Sequence, residues 1–257
     1  MYAALRLEGL LFLLALRYLT RIPVPRGLPV SDDLMVRAVK YHPAVGALVG
    51  GIGALVLWAA APVLPWSTAV ILSLAATLLA TAGFHEAGLA DAAEGLSVGQ
   101  DRAEVIQIMD HTRLGTYGAL TLAVVLGLKL TLLAGMSLGQ ACLALIAAHA
   151  VGRMAAVHVT LITVHARSEG MQKFVPKVTP DGYRVALACT LMVLALVLMP
   201  LGGGAVLCAF IGAILLAQAF RAVCVARIGG YTGDCLGGSV LFGELGFYLG
   251  LIIWFQV

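Results

Sequence analysis

Apolar residues in this chain fall in long unbroken runs, with the polar residues gathered between them. Runs of bilayer-spanning length, roughly 17–25 residues, occupy about 43–64, 67–84, 117–136, 140–164, 184–200, 204–226 and 236–256. A shorter run at 5–16 reads as an interfacial or tilted eighth helix. The runs are too long for the strands of a membrane barrel and do not alternate in polarity. The pattern therefore predicts an all-α polytopic membrane bundle of about seven or eight transmembrane helices, forming a single domain over residues 1–257.

The connections are of two kinds. Those near 65–66, 137–139 and 201–203 are short and carry no Lys or Arg. Those at 17–42, 85–116, 165–183 and 227–235 are longer and polar, and they hold Arg17, Arg21, Arg26, Arg37, Lys40, Arg102, Arg113, Arg167, Lys173, Lys177 and Arg227. By the positive-inside rule all four belong on the cytoplasmic side. The expected architecture is a row of helical hairpins with tight outer turns and every polar loop on the cytoplasmic face, where the chemistry is expected. Within the second connection, 101–109 reads as a short amphipathic helix with Val105, Ile108 and Met109 as its stripe.

Composition agrees. The chain is 61% hydrophobic and 11% charged, against roughly 25% charged residues in an average soluble domain. A net charge of +3 is too small to point to nucleic acid. The five cysteines show neither metal-type pair spacing nor a disulfide framework.

Four segments could carry chemistry. In Phe84-His85-Glu86-Ala87-Gly88-Leu89-Ala90-Asp91-Ala92-Ala93-Glu94-Gly95, a helix would place positions 87, 91 and 94 on one face. Asp91 and Glu94 suit Mg²⁺, which bridges one or two carboxylates to substrate phosphates. The competing reading is a solvated helix end. In 227–238, glycines including Gly230 and Gly233 surround Asp234, another candidate ligand. That segment suits either close approach to phosphate or small-residue helix packing. Lys129, His149, Arg153, His158 and Glu244 lie inside spans, where ionisable groups face a polar cavity or one another or snorkel to the interface. Lys129 and Arg153 read as phosphate ligands, with Glu244 as their partner or a metal ligand. Asp110, His111 and Arg113 precede the next span; Arg113 can grip phosphate in a fork, or the segment is a plain interfacial loop.

Taken in order, these segments resemble one family, the adenosylcobinamide-GDP ribazoletransferases (cobalamin synthases). The resemblance rests on Thr20-Arg21-Ile22-Pro23-Val24-Pro25, on Pro43-Ala44-Val45-Gly46, on 83–95 against Gly-Phe-His-x-Asp-Gly-Leu-Ala-Asp-x-x-Asp-Gly, on 109–116 against Met-x-Asp-Ser-Arg-Leu-Gly-Thr, on 230–237, and on Gly243-Glu244-Leu245. It implies Mg²⁺-dependent transfer of adenosylcobinamide phosphate from adenosylcobinamide-GDP to α-ribazole or its 5′-phosphate, releasing GMP. It further implies Asp91, Glu94 and Asp234 as metal ligands, His85, Asp91, Arg113 and Lys129 as catalytic, and Glu86, Asp110, His111, Arg153, Gly230, Gly233 and Glu244 as substrate-binding. Membrane lipid surrounds such an enzyme, and a homo-oligomer or a complex with other enzymes of the pathway is compatible with it. Three departures stand out, one of them Glu94 in the place of the signature's third Asp, a replacement with a longer reach. Ala87 occupies the place of the signature's first Asp, which implies impaired catalysis, and His111 occupies the Asp position of the later motif. The alternatives are a CDP-alcohol phosphatidyltransferase, whose Asp-Gly-x-x-Ala-Arg start lacks its Arg here, a transporter, or a scaffold.

Overall fold

The computed structural model describes residues 2–110, 113–166 and 174–257. Among them, helices α1 (Tyr2–Leu19), α2 (Asp32–Ala38), α3 (His42–Ala60), α4 (Trp66–Thr81), α5 (Phe84–Val98), α6 (Arg102–Met109), α7 (Thr116–Ala134), α8 (Leu138–Ile162), α9 (Pro180–Leu201), α10 (Gly203–Ile228) and α11 (Gly233–Gln256) carry almost all of the regular structure. A bilayer leaves backbone groups no water to bond, so its spanning segments satisfy them within a helix. Six segments are long and apolar enough to span: α2 through α3, α7, α8, α9, α10 and α11. The pair α4 and α5 makes a seventh only as a broken span, bent by 88°. The run at 5–16 does form α1, which is not among these candidates.

The bend between α4 and α5 has a local cause. Ala82 (φ 55°) and Gly83 (φ 64°) are both left-handed, and their N–H groups close onto Leu78 and Leu79 carbonyls. Two such residues in succession end one helix and start the next in a new direction. Elsewhere, sharp turns behave as the hydropathy pattern predicts. Ser137 caps α8 in a capping box with Gln140, and Gly202 (φ 89°) turns α9 into α10.

At the centre are α8 and α11, with 72% and 78% of their windows buried, against 22–44% for the other spans. Small residues let backbones meet there, as membrane helices require in place of a hydrophobic driving force. A Cβ on Gly246 would lie 2.6 Å from the Gly212 carbonyl carbon, and one on Gly50 would lie 2.8 Å from Ile146 Cα. Outward-facing Leu55, Val124, Met192, Leu196 and Leu215 are exposed, as lipid-facing side chains must be.

Candidate functional site

The four long connections meet at one end of the bundle around a cavity of about 1270 Å³. Its lining takes Tyr18, Thr20 and Arg21 from the first connection and its flank, and Ala87 and Asp91 from the second. His165, Phe174 and Lys177 come from the third, and Tyr231, Gly233 and Asp234 from the fourth.

Hydrogen bonds tie these connections together. Ala166 N–H donates to the Tyr231 carbonyl (2.8 Å) and Tyr231 N–H to the Val164 carbonyl (3.0 Å), so the third and fourth connections share a two-bond parallel bridge. Gly230 sits against that bridge, where a Cβ would crowd Ala166 at 3.2 Å. The Tyr231 hydroxyl donates to the Pro176 carbonyl (2.8 Å). Burial pushes that hydroxyl up to about 12, so it stays a donor at neutral pH. Arg102 donates to the Ala166 carbonyl (2.7 Å) and Arg227 to the Gly99 carbonyl (2.5 Å), so these two cations act as staples between connections.

Asp91 and Asp234 reach the same cavity because α5 and α11 touch through glycines. A Cβ on Gly88 would lie 3.2 Å from Asp234 Cα, and one on Gly237 would lie 2.8 Å from the His85 carbonyl oxygen. Thr232 caps α11, accepting from Cys235 N–H (3.3 Å). That places Gly233 and Asp234 in its first turn, so the glycines of this segment serve helix packing as well as cavity access.

Glu94 behaves differently. Its carboxylate accepts from Gly118 N–H (3.0 Å) at the start of α7, where the helix dipole favours an anion, and it is not part of the cavity lining. Ala87 lines the cavity but offers no donor atom. Among the described residues no three His, Cys, Asp or Glu side chains converge as a metal cage. Two carboxylates are nevertheless what Mg²⁺ uses when substrate phosphates complete its shell. Asp91 and Asp234 therefore fit a substrate-bridged ion and not an all-protein one.

The other sequence candidates separate into groups. Lys129 and Glu244 lie in a buried cluster below the site: Lys129 Nζ donates to Glu244 Oε2 (2.6 Å), Arg153 Nη1 to Oε1 (2.5 Å), and His149 Nδ1 lies 2.9 Å from Oε1. The cluster joins α7, α8 and α11. Glu86 Oε2 is buried without a hydrogen-bond partner. Arg153 and His85 line a side pocket of about 40 Å³ that opens behind Tyr18 and Phe84. Asp110 ends α6, and Arg113 is exposed and outside the cavity lining. His111 lies outside the described residues. His158 and Arg221 are satisfied locally, by the Tyr183 hydroxyl (2.9 Å) and Thr163 Oγ1 (2.6 Å).

Sequence reasoning passed over Arg21 and Lys177 as site residues and counted them only as topology charges. Arg21 sits inside the Thr-Arg-Ile-Pro motif, which was the available signal. Lys177 and the aromatic lining carried none.

Acidic and basic side chains sharing a large cavity at one end of a helical bundle equip an integral membrane protein to handle a bulky, phosphate-bearing molecule. Comparison with known proteins makes this specific. The chain belongs to the cobalamin-5-phosphate synthase family, whose model matches residues 11–252. Relatives named adenosylcobinamide-GDP ribazoletransferase include one from Leptothrix cholodnii, 42% identical over 99% of this chain and 100% of the relative. Others are from Ralstonia nicotianae (40%; 99% and 97%) and Shewanella woodyi (37%; 96% and 97%). No solved structure matches the chain.

Proposed function

We propose that this chain joins adenosylcobinamide phosphate, taken from adenosylcobinamide-GDP, to α-ribazole or its 5′-phosphate, and that the reaction requires Mg²⁺. The observation that carries this reading is the cavity, which gathers Asp91, Asp234, Arg21 and Lys177 from all four polar connections. Its volume exceeds the roughly 300–1,000 Å³ of an ordinary small-molecule pocket, as a corrinoid joined to a nucleoside diphosphate demands.

Phosphoryl transfer asks a protein mainly for positioning and charge neutralisation. Asp91 and Asp234 would hold the ion, which when bound neutralises diphosphate charge. Arg21 and Lys177 bring positive charge to the same cavity. The acceptor hydroxyl attacks the corrinoid-side phosphorus. The new P–O bond forms as the bridging P–O bond breaks, GMP leaves with the bridging oxygen, and the hydroxyl proton is released. Lys129 serves this site from below, through Glu244, and does not contact substrate. Ala87 lines the same cavity and offers no oxygen where the family signature has Asp, so slow turnover is expected of this chain. The arginines and lysines of the long connections support a cytoplasmic site in the inner membrane.

The test is turnover in lipid with adenosylcobinamide-GDP and α-ribazole, with and without Mg²⁺, followed by corrinoid chromatography. The chain is run beside Ala87→Asp. Mg²⁺-dependent cobalamin formation that rises in Ala87→Asp supports the reading. Absence of product from both folded proteins sinks it.

A further inference from the structure

Three aromatic rings meet on one flank of the cavity. Tyr18 is edge-to-face with Phe84 (centroids 5.5 Å apart, planes at 71°) and with Phe174 (5.6 Å, 84°). All three line the cavity. Phe84 stands at the N-terminus of α5, just after the left-handed pair, and is 44% exposed. A phenyl ring in a core packs its faces away; this one leaves part of its surface open and lines the cavity, at the first position of the helix that carries Asp91.

Behind Tyr18 and Phe84 the side pocket of about 40 Å³ reaches His42, His85 and Arg153. Such a volume admits a water or the edge of a ring, and not a whole base. Arg153 is 2% exposed, and its Nη1 is committed to Glu244 and to the His149 carbonyl. Its Nε–H, however, is buried with no hydrogen-bond partner. A guanidinium N–H left so in a closed protein costs free energy unless something accepts from it.

We infer that the Tyr18–Phe84–Phe174 flank, with Arg153 behind it, seats a planar heteroaromatic base whose edge carries a lone-pair nitrogen or a carbonyl oxygen. The flat faces stack on the aromatic flank, and the acceptor atom at the ring edge takes the Arg153 Nε–H. Asp91 and Asp234 lie in the same cavity, so a nucleoside seated here by its base can bring its sugar or phosphate toward the carboxylates. The inference rests on the proposed transferase reading, which supplies two molecules with such a base: the acceptor nucleoside and the guanosine diphosphate end of the donor.

Equilibrium binding to the full chain in lipid nanodiscs tests this without turnover. The probes are a benzimidazole riboside, the matching indole riboside, which lacks the lone-pair nitrogen, and GDP. Base stacking on an aromatic ring is worth enough that Phe84→Ala is expected to weaken the seated ligand by about fivefold or more. The ligand that loses affinity identifies which base uses the seat. Phe84→Leu, which keeps bulk but not the π face, is expected to weaken it too, and the exposure of Phe84 means neither change opens the core. Arg153→Lys keeps a cation beside Glu244 and is expected to abolish a preference for benzimidazole over indole riboside, or to weaken GDP if guanine is the occupant. Unchanged affinity for both benzimidazole riboside and GDP in Phe84→Ala, or no binding of either to the parent chain, overturns the inference. An inactive chain that still binds through Phe84 overturns the transferase reading alone. An active one whose binding ignores Phe84 overturns only the base seat.

Discussion

Replacing Glu244 by Gln is the sharpest test of how the bundle holds its charges. Glu244 is 1% exposed and receives Lys129 at 2.6 Å and Arg153 at 2.5 Å, with His149 at 2.9 Å. Gln keeps the shape and removes the anion, leaving two buried cations facing a neutral amide. Breaking a buried ion pair from one side costs about 3–5 kcal/mol, because the remaining charge is uncompensated. Lys129→Met is the control. It removes one cation and leaves Arg153 opposite Glu244, so the residual cluster is balanced. The loss is then one charged hydrogen bond, offset by the ammonium no longer being desolvated, below about 2 kcal/mol. Unfolding in mixed micelles titrated with a denaturing detergent, followed by circular dichroism, gives both values on one scale. The expected order is parent, then Lys129→Met, then Glu244→Gln. A Lys129→Met protein as unstable as Glu244→Gln, or a Glu244→Gln protein within about 1 kcal/mol of the parent, would refute the idea that Glu244 is the shared anion of a dry cluster.

Asp234→Asn is expected to lower turnover by about a hundredfold or more, the scale of losing one electrostatic contact to the transition state. It should lower the detergent unfolding midpoint only slightly, because an amide oxygen can still accept the long bond from Thr232 Oγ1 (3.3 Å). Glu94→Gln should behave in the opposite way. It weakens the bond to Gly118 N–H, so about 1 kcal/mol of stability is lost, while the Mg²⁺ concentration giving half-maximal turnover stays put. Gly246→Val puts side-chain carbon where Gly212 and Ala213 already stand. A loss beyond the roughly 1–3 kcal/mol of ordinary overpacking is expected, read as failure to purify as a monodisperse species.

The spans were legible because a bilayer allows few solutions: a run of some twenty apolar residues has to be a helix. The polar connections were legible as one group because their Lys and Arg set them apart from the short turns, and all four contribute to the cavity lining. What hydropathy could not show is the 88° bend between α4 and α5. Gly83 is an ordinary helix terminator, but nothing about Ala82 announces a left-handed residue. The surroundings of the acidic residues on α5 were legible only in part. Helical spacing put Asp91 and Glu94 side by side, yet spacing is blind to the partner element, and the start of α7 claims Glu94. Lys129 and Arg153 were visible as costly charges, but their common partner comes from α11, far along the chain. Only the fold reveals that they hold an anion in place.

These particulars suggest two layers with different tolerances. Below the cavity, Lys129 and Arg153 lock α7, α8 and α11 through one shared anion, Glu244, which cannot be removed while they stay. At the cavity, α5 and α11 meet through Gly88 and Gly237 and present Asp91 and Asp234 from two helices. Arg153 belongs to both layers: its Nη1 is in the cluster, its Nε is buried without a partner, and the residue lines the side pocket. Its replacement by a residue without charge should therefore cost stability, whereas Lys should cost recognition of the base edge. Ala87 belongs to the upper layer alone: it lines the cavity, and no bond in the cluster depends on it. A change at 87 can therefore alter catalysis without disturbing the bundle, which is why Ala87→Asp can report on the chemistry without the confounding loss of fold expected at Glu244.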